Sequence, residues 1–297
     1  MRVGFIGLGI IGSQLTPKLI EAGNELTVTE LVRSKAAKIE DLGASWADTA
    51  REVGEANEVV FTSVPNPEDV EKVLLTPKTG LLEGLAPGKV FIDLTTSSPT
   101  MSRKLAAICK ERGVEMLDSP LTRASGTIFV VGGDKATFER HKHLMEAMGS
   151  RVFYVGGTGM GNVAKLALQY TTTLSFWAQM EALVIAAKAG ADTEVVHDFL
   201  VAAGNRPVPD FEKVREHEYG ERDAGSLLDI FQKDVSLGIQ LAREIGAIAS
   251  LGVAADDIMR RGQTHEGWGR YHRAIATQVL EEFAGVDLKG RPYPPSK

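Results

Sequence analysis

Residues 3–12 read Val3-Gly4-Phe5-Ile6-Gly7-Leu8-Gly9-Ile10-Ile11-Gly12. A short apolar run ends in glycines at the spacing G-x-G-x-x-G, and a helical pattern over residues 10–22 follows. In that setting each glycine has its own task. Gly7 permits a tight turn after a strand, Gly9 lets a pyrophosphate approach the backbone, and Gly12 lets the helix lie close on the strand. The helix start offers unpaired N–H groups and positive potential to an anion. Gly7, Leu8, Gly9, Ile10, Ile11 and Gly12 are therefore assigned to phosphate binding.

Working outward, short apolar runs recur at residues 26–29, 59–62, 90–93 and 114–117, with helical patterns such as 68–75 and 101–112 between them. Unbroken apolar runs alternating with helices predict parallel strands buried on both faces. Runs at 128–131 and 152–155, around a helical stretch at 136–148, extend the same sheet. After Val155 the flexible Gly156-Gly157-Thr158-Gly159 breaks the pattern, and residues 160–283 show only helical periodicity. Residues 160–189 read as one helix of roughly 30 residues, about 45 Å long. The predicted architecture is a Rossmann-type α/β domain over residues 1–158, with a mostly parallel sheet. An all-α substrate and oligomerisation domain over residues 159–297 is joined to it by the long helix. The proline-rich stretch 290–295 reads as a loose tail.

Glu30 closes the second strand, 18 residues after Gly12. A carboxylate there can accept hydrogen bonds from both ribose hydroxyls and would repel a 2′-phosphate, which favours NAD. It reads equally as a solvent-facing strand end. Arg33 and Lys35 follow closely and could hold a 2′-phosphate, so NADP stays open.

The net charge of −6 argues against a nucleic-acid surface, which is usually basic. With 43% hydrophobic residues the chain can bury a real core. Cys109 is the single cysteine, which excludes an internal disulfide and fits a cytoplasmic protein. No apolar run reaches the roughly 18 residues of a membrane helix, and the glycine-rich start is a poor signal peptide. His197, His217, His265 and His272 lack metal-ligand spacing, and adjacent Asp256 and Asp257 diverge around a helix, predicting a solvated face. No metal site is assigned.

A second motif begins at Gly159-Met160-Gly161-Asn162-Val163-Ala164-Lys165. Asn162, Lys165, Gln169 and Thr172 recur at three- and four-residue spacing on one helix face. That spacing fits a solvated face as well as a buried polar one. Taken together, four ordered blocks make the chain resemble the β-hydroxyacid dehydrogenase family. They are Gly7 to Gly12, Asp118-Ser119-Pro120-Leu121-Thr122, Gly159 to Lys165, and Lys233-Asp234-Val235. Asp93-Leu94-Thr95-Thr96-Ser97-Ser98-Pro99 resembles a further family stretch, and the similarity spans nearly the whole chain.

The resemblance implies hydride transfer between a nicotinamide cofactor and a small 3-hydroxy acid or its semialdehyde. In it Lys165 is the general acid/base, and Gln169, one helical turn further on, is the second catalytic residue. Val64-Pro65 and Thr96 contact the cofactor, Thr122 and its neighbours Arg123 and Ala124 hold the substrate carboxylate, and Lys233 lines cofactor and substrate. A partly desolvated lysine suits this task, because desolvation favours its neutral, proton-accepting form.

Several positions depart from the family pattern. Gln169 stands where asparagine is usual, and Ser226 where an aromatic residue is common. The block Thr122-Arg123-Ala124-Ser125-Gly126-Thr127-Ile128 is shorter than the family loop, placing Arg123 where glycine backbone would meet the carboxylate. Arg270, Tyr271 and His272 follow Gly267-Trp268-Gly269 where an acidic position is common. These changes predict the same reaction class with an altered substrate. Imine reductases share the fold but carry Asp or Tyr where Lys165 stands, and some relatives that lack the lysine act as non-catalytic dinucleotide-binding modules. Residues 160–189 are apolar on more than one face, which predicts a homodimer or homotetramer.

Overall fold

A computed structural model describes residues 1–124, 126–219 and 227–293. The chain forms two compact units, Met1–Leu166 and Ala167–Lys297. In the first, the apolar runs become β1 (Arg2–Ile6), β2 (Glu25–Thr29), β3 (Ser45–Trp46), β4 (Val59–Thr62), β5 (Val90–Asp93), β6 (Glu115–Asp118), β7 (Leu121–Ala124), β8 (Gly126–Gly133) and β9 (Arg151–Gly156). Between them lie α1 (Gly12–Glu21), α2 (Ala37–Glu40), α3 (Ala50–Ala56), α4 (Pro67–Leu75), α5 (Pro99–Glu111) and α6 (Lys135–Met148).

β3, β2, β1, β4, β5 and β6 are parallel neighbours in that order. Every residue of β4 and β5 is buried, because helices cover both faces of the sheet. Phe5 and Phe61 are fully buried and stack with ring centres 6.0 Å apart; burying such a side chain contributes about 1.5–3 kcal/mol. Local signals place the helices. Ser98 accepts the Met101 N–H and Pro99 opens α5, an N-cap followed by the residue best suited to the first helical position.

Two strands go beyond the sequence expectation. β3 is only two residues long, too short to show periodicity. β7 lies in the block expected as an acid-binding loop; it pairs antiparallel with β8, Thr122 opposite Ile128 and Arg123 opposite Thr127. β6 is also antiparallel to β8, whereas β9 is parallel to it. The shortened block thus lies in two neighbouring antiparallel strands.

The second unit is helical. The helix α7 (Met160–Lys188) starts in the first unit and runs into the second, followed by α8 (Thr193–Ala202), α9 (Phe211–Arg215), α10 (Leu228–Glu244), α11 (Ser250–Gln263) and α12 (Thr277–Ala284). Phe176, Trp177, Met180, Leu183 and Val184 of α7 join Leu228, Phe231, Val235 and Met259 in its core. Arg273 is buried there with its guanidinium over the rings of Phe231 (4.0 Å) and Phe176 (4.5 Å). Among the described residues no helix is long and apolar enough to cross a membrane.

Two smaller expectations are corrected. Asp256 is not on a solvated face: its carboxylate takes hydrogen bonds from Gln232, Ser236 and Arg260 and is mostly buried, while Asp257 is exposed beside Arg261. The tail is tied rather than loose as far as Tyr293, since Val286 bridges to Pro292, and Asp287 holds Arg291. Pro294 and Pro295 lie outside the described residues, as does Ser226.

Candidate active site

Strand order reverses at β1, which is flanked by β2 on one side and β4 on the other. Ligands of such sheets sit beyond the carboxyl ends of the strands at this reversal. The loop Gly7 to Gly12 leaves β1 there. Gly7 has φ +98°, and a Cβ on it would stand 2.3 Å from the Ser63 carbonyl oxygen. A Cβ on Gly12 would stand 2.0 Å from the Gly7 carbonyl oxygen, so this glycine is required for the helix to approach the turn. At Gly9 a Cβ would meet no protein atom within 4 Å: open space that a phosphate can fill. No side chain caps α1; the N–H groups of Ser13, Gln14 and Leu15 bond the Gly9 and Ile11 carbonyls, so an anion here would meet the loop N–H groups just before them. Leu8 is buried beneath the loop, whereas Ile10 is exposed on it.

Glu30 follows β2 with its side chain 10% exposed. Its Oε2 accepts the Leu8 N–H at 2.7 Å, its Oε1 accepts the Val32 N–H at 3.4 Å, and Lys35 Nζ lies 3.8 Å away. Glu30 is therefore attached to the phosphate loop rather than projecting into solvent. Arg33 is turned elsewhere. Both of its terminal nitrogens bond Glu40, and the guanidinium lies 4.2 Å over the Trp46 ring. These arrangements suit a dinucleotide whose ribose hydroxyls meet a carboxylate.

After β4, the Val64 N–H donates to Thr95 Oγ1 at 3.2 Å, which fixes the turn carrying Val64 and exposed Pro65. Thr96 is half-buried beside it in the chain. Thr95 is held by Asp93, whose Oδ1 accepts the Thr95 N–H (3.0 Å) and the Thr62 hydroxyl (2.7 Å). Asp118, at the end of β6, accepts the Gly159 N–H at 2.7 Å and the Asn162 N–H at 2.9 Å. Asn162 then takes the Ser97 N–H at 2.8 Å and donates to the Ser102 hydroxyl at 3.0 Å. The start of α7 is thereby locked to β6 and to the segment after β5. Burial pushes both Asp93 and Asp118 up to about 6, against the hydrogen bonds that stabilise their ionised forms.

Lys165 follows Asn162 by three residues and is only 7% exposed. Lysines are rarely that buried unless paired. Gln169, one turn further along α7, donates to Asp234 Oδ2 at 2.7 Å within the second unit; Lys233 Nζ lies 3.3 Å from Asp234 Oδ1. Asn162, Lys165 and Gln169 are all buried, so the polar stripe of α7 faces inward; beyond Gln169 it continues with buried Thr173 rather than Thr172.

Arg123 is where sequence and structure part. Its side chain is exposed, and Nη1 donates to Gln14 Oε1 at 3.4 Å, on the first turn of α1. Arg123 and Gln14 are 109 residues apart in the chain and are brought together by the fold. Thr122 is half-buried on the same strand, and Ala124 pairs with Gly126 at the hairpin end. Sequence reasoning assigned no role to Asp93, Asp118 or Asp234, although all three lie in motifs it used. Their only signal was position at a strand end or beside a motif lysine. Among the described residues no group of histidine, cysteine, aspartate or glutamate is arranged to hold a metal ion.

Comparison with known proteins agrees with this geometry. Residues 2–156 match the family model described as the NAD binding domain of 6-phosphogluconate dehydrogenase, and residues 159–279 the one described as NAD-binding of NADP-dependent 3-hydroxyisobutyrate dehydrogenase. The chain is 36% identical to the 2-hydroxy-3-oxopropionate reductase of Escherichia coli, across 97% of this chain and 100% of that protein. The chain belongs to the β-hydroxyacid dehydrogenase family. Another member, the NAD-dependent L-serine dehydrogenase of Pseudomonas aeruginosa, is 31% identical over 87% of this chain and 91% of its own. The solved 3-hydroxyisobutyrate dehydrogenase of Mycobacterium tuberculosis shares the fold, with a TM-score of 0.83, 24% identity, and coverage of 94% and 98% of the two chains. As a β-hydroxyacid dehydrogenase the protein is an NAD(P)-dependent oxidoreductase acting on the CH–OH group of small hydroxy acids.

Proposed function

We propose that this enzyme interconverts a small 3-hydroxy acid and its semialdehyde or keto counterpart, with NAD preferred and Lys165 as general acid/base. The observation that carries this is a lysine 7% exposed, three residues beyond the tightly bonded start of α7. Bound NAD supplies the hydride acceptor. In the oxidising direction the carbinol C–H bond breaks with its electron pair and the hydroxyl proton passes to neutral Lys165; in reduction the lysine returns it.

The cofactor is proposed to lie on the backbone of Gly7, Leu8, Gly9, Ile10, Ile11 and Gly12, with its ribose on Glu30. Val64, Pro65 and Thr96 follow along its length, and Lys233 serves both cofactor and substrate. Thr122, Arg123 and the backbone at Ala124 take the substrate carboxylate, and Gln169 supports the lysine helix. The NAD preference draws support from Glu30 at the loop and from the commitment of Arg33 to Glu40 and Trp46.

The proposed working form is a homodimer or homotetramer in a reducing cytoplasm, with residues 1–158 for the dinucleotide and 159–297 for substrate and assembly. The exposed side of α7 carries Leu168, Thr171, Ser175, Ala178, Ala182 and Ile185, an apolar and small-residue face that supports helix contact with a second copy. Cys109 is free and buried, which suits a reducing compartment. Turnover of a panel of 3-hydroxy acids and semialdehydes with both cofactors, by wild type and Lys165→Ala, tests the reading. Lys165→Ala is expected to lose about 10²–10⁴-fold in kcat while still binding NAD. Retention of more than half the rate, with chemistry limiting, refutes the lysine's role.

A further inference from the structure

Asp93 and Asp118 stand opposite each other on adjacent parallel strands, β5 and β6. Both are buried, and among the described residues neither has an ion-pair partner. Burying a carboxylate without a cation is unfavourable unless hydrogen bonds replace its hydration. Here those bonds come from two different functional segments. Asp93 takes the Thr95 N–H and the Thr62 hydroxyl, and Thr95 in turn takes the Val64 N–H. Asp118 takes the N–H groups of Gly159 and Asn162, one on each oxygen.

The surroundings are shaped for this. A Cβ on Gly132 would stand 2.6 Å from Asp118 Oδ1, and one on Gly161 would stand 2.9 Å from Oδ2. Glycine at both positions leaves the carboxylate its space. Burial pushes both carboxylates up to about 6, while N–H donors on both Asp118 oxygens favour its ionised, accepting form.

We infer that Asp93 and Asp118 form a two-carboxylate positioning node in which Asp93 orders the Val64–Pro65 turn for the cofactor while Asp118 fixes the start of α7 and hence the lie of Lys165. Asp118's half rests on the reading of Lys165 as the acid/base. Both are positioning residues: they hold backbone that carries the working groups.

The two halves predict different kinetic signatures. In Asp118→Asn the amide oxygen can accept one of the two N–H groups, but the amide nitrogen then faces the other donor. The first turn of α7 must shift, and a displacement on the order of 1 Å at the lysine lowers kcat about 10²-fold. The Kd for NAD, measured by direct titration, stays within about twofold, well under the 1.4 kcal/mol that corresponds to tenfold. Asp93→Asn moves the other quantity: Kd and KM for NAD rise tenfold or more, about 1.4 kcal/mol, and kcat at saturating NAD changes less. Asp118→Ser, smaller than aspartate and without the carboxylate that accepts the Gly159 and Asn162 N–H groups, repeats the kcat test if Asp118→Asn does not fold.

A purely structural role would lower Tm in all three while leaving kcat and Kd of the folded protein unchanged, and that result overturns the node. So does a parallel fall of kcat and affinity in the Asp93 and Asp118 variants alike. Lys165→Ala, assayed alongside, separates this inference from the one beneath it. An active Lys165→Ala overturns the lysine reading and with it Asp118's half of the node. An inactive Lys165→Ala beside wild-type kcat in Asp118→Asn and Asp118→Ser overturns the node alone.

Discussion

Two glycines of the phosphate loop, three residues apart, should fail in opposite ways when replaced by alanine. In Gly12→Ala the new methyl would stand 2.0 Å from the Gly7 carbonyl oxygen and 3.0 Å from Phe5 Cε1. A relaxed carbon–oxygen contact is roughly 3.3 Å, so turn and helix must separate by about 1.3 Å. Overpacking of that kind destabilises by about 1–3 kcal/mol. For a unit of this size that lowers the thermal midpoint by about 2–12 °C. In Gly9→Ala the methyl meets no protein atom within 4 Å, and its φ lies outside the left-handed region. The apo midpoint should hold or rise by about 1–3 °C through lower unfolded-state entropy. Its methyl nevertheless occupies the space assigned to the pyrophosphate. The assay is thermal melting with and without NAD. At about 100 times the wild-type Kd, NAD stabilises wild type by about 2.7 kcal/mol, whereas a tenfold weaker variant gains only about 1.4 kcal/mol. Gly9→Ala should therefore show at most half the wild-type NAD shift. A full shift in Gly9→Ala, or a wild-type apo midpoint in Gly12→Ala, refutes the assignment of these two roles.

Further outcomes are expected. The ratio of kcat/KM for NAD to that for NADP should exceed one, and Glu30→Gln should reduce it by removing the charge that repels a 2′-phosphate; wild-type preference for NADP would show that Arg33 leaves Glu40 to meet the phosphate. Arg123→Ala should raise KM for the acid about tenfold, the 1.4 kcal/mol of an exposed charge-assisted contact, and because the side chain touches Gln14 the Kd for NAD should be measured with it; no change in either returns Arg123 to the surface. His217 Nε2 lies 2.7 Å from the fully buried Glu281 carboxylate, and that hydrogen bond raises the imidazole above its ordinary 6.5. The stabilisation is thus complete below 6.5 and lost as pH rises through the higher folded value. Asp93 and Asp118, raised to about 6, shift stability in the same direction. The pair's own share is therefore the difference between wild type and His217→Gln, which should shrink from mildly acidic to mildly alkaline pH in thermal melts. A pH-independent difference would remove the pair from the account.

Short-range pattern was enough for much of this molecule. β1, β2, β4 and β5 follow from apolar runs whose residues are buried on both sides, and the phosphate loop follows from glycine spacing next to a strand. α7 follows from 29 residues of helical periodicity after a glycine break. Each of those signals is carried by neighbours in the chain, where backbone sterics and burial period act directly. What the tertiary structure alone decided are choices between partners far apart in sequence. Glu30, which reads from sequence as ribose acceptor or strand end alike, accepts the N–H of Leu8, 22 residues away. Arg33 looked free for a phosphate until folding brought Glu40 and Trp46 to it. Arg123, 109 residues from Gln14, meets the first turn of α1 from a strand paired to β8. Asp118 found its role through N–H groups 41 and 44 residues later. A side chain's partner is set by which groups lose their water together when the sheet and helices pack. That pairing depends on the whole fold and leaves no period in the sequence.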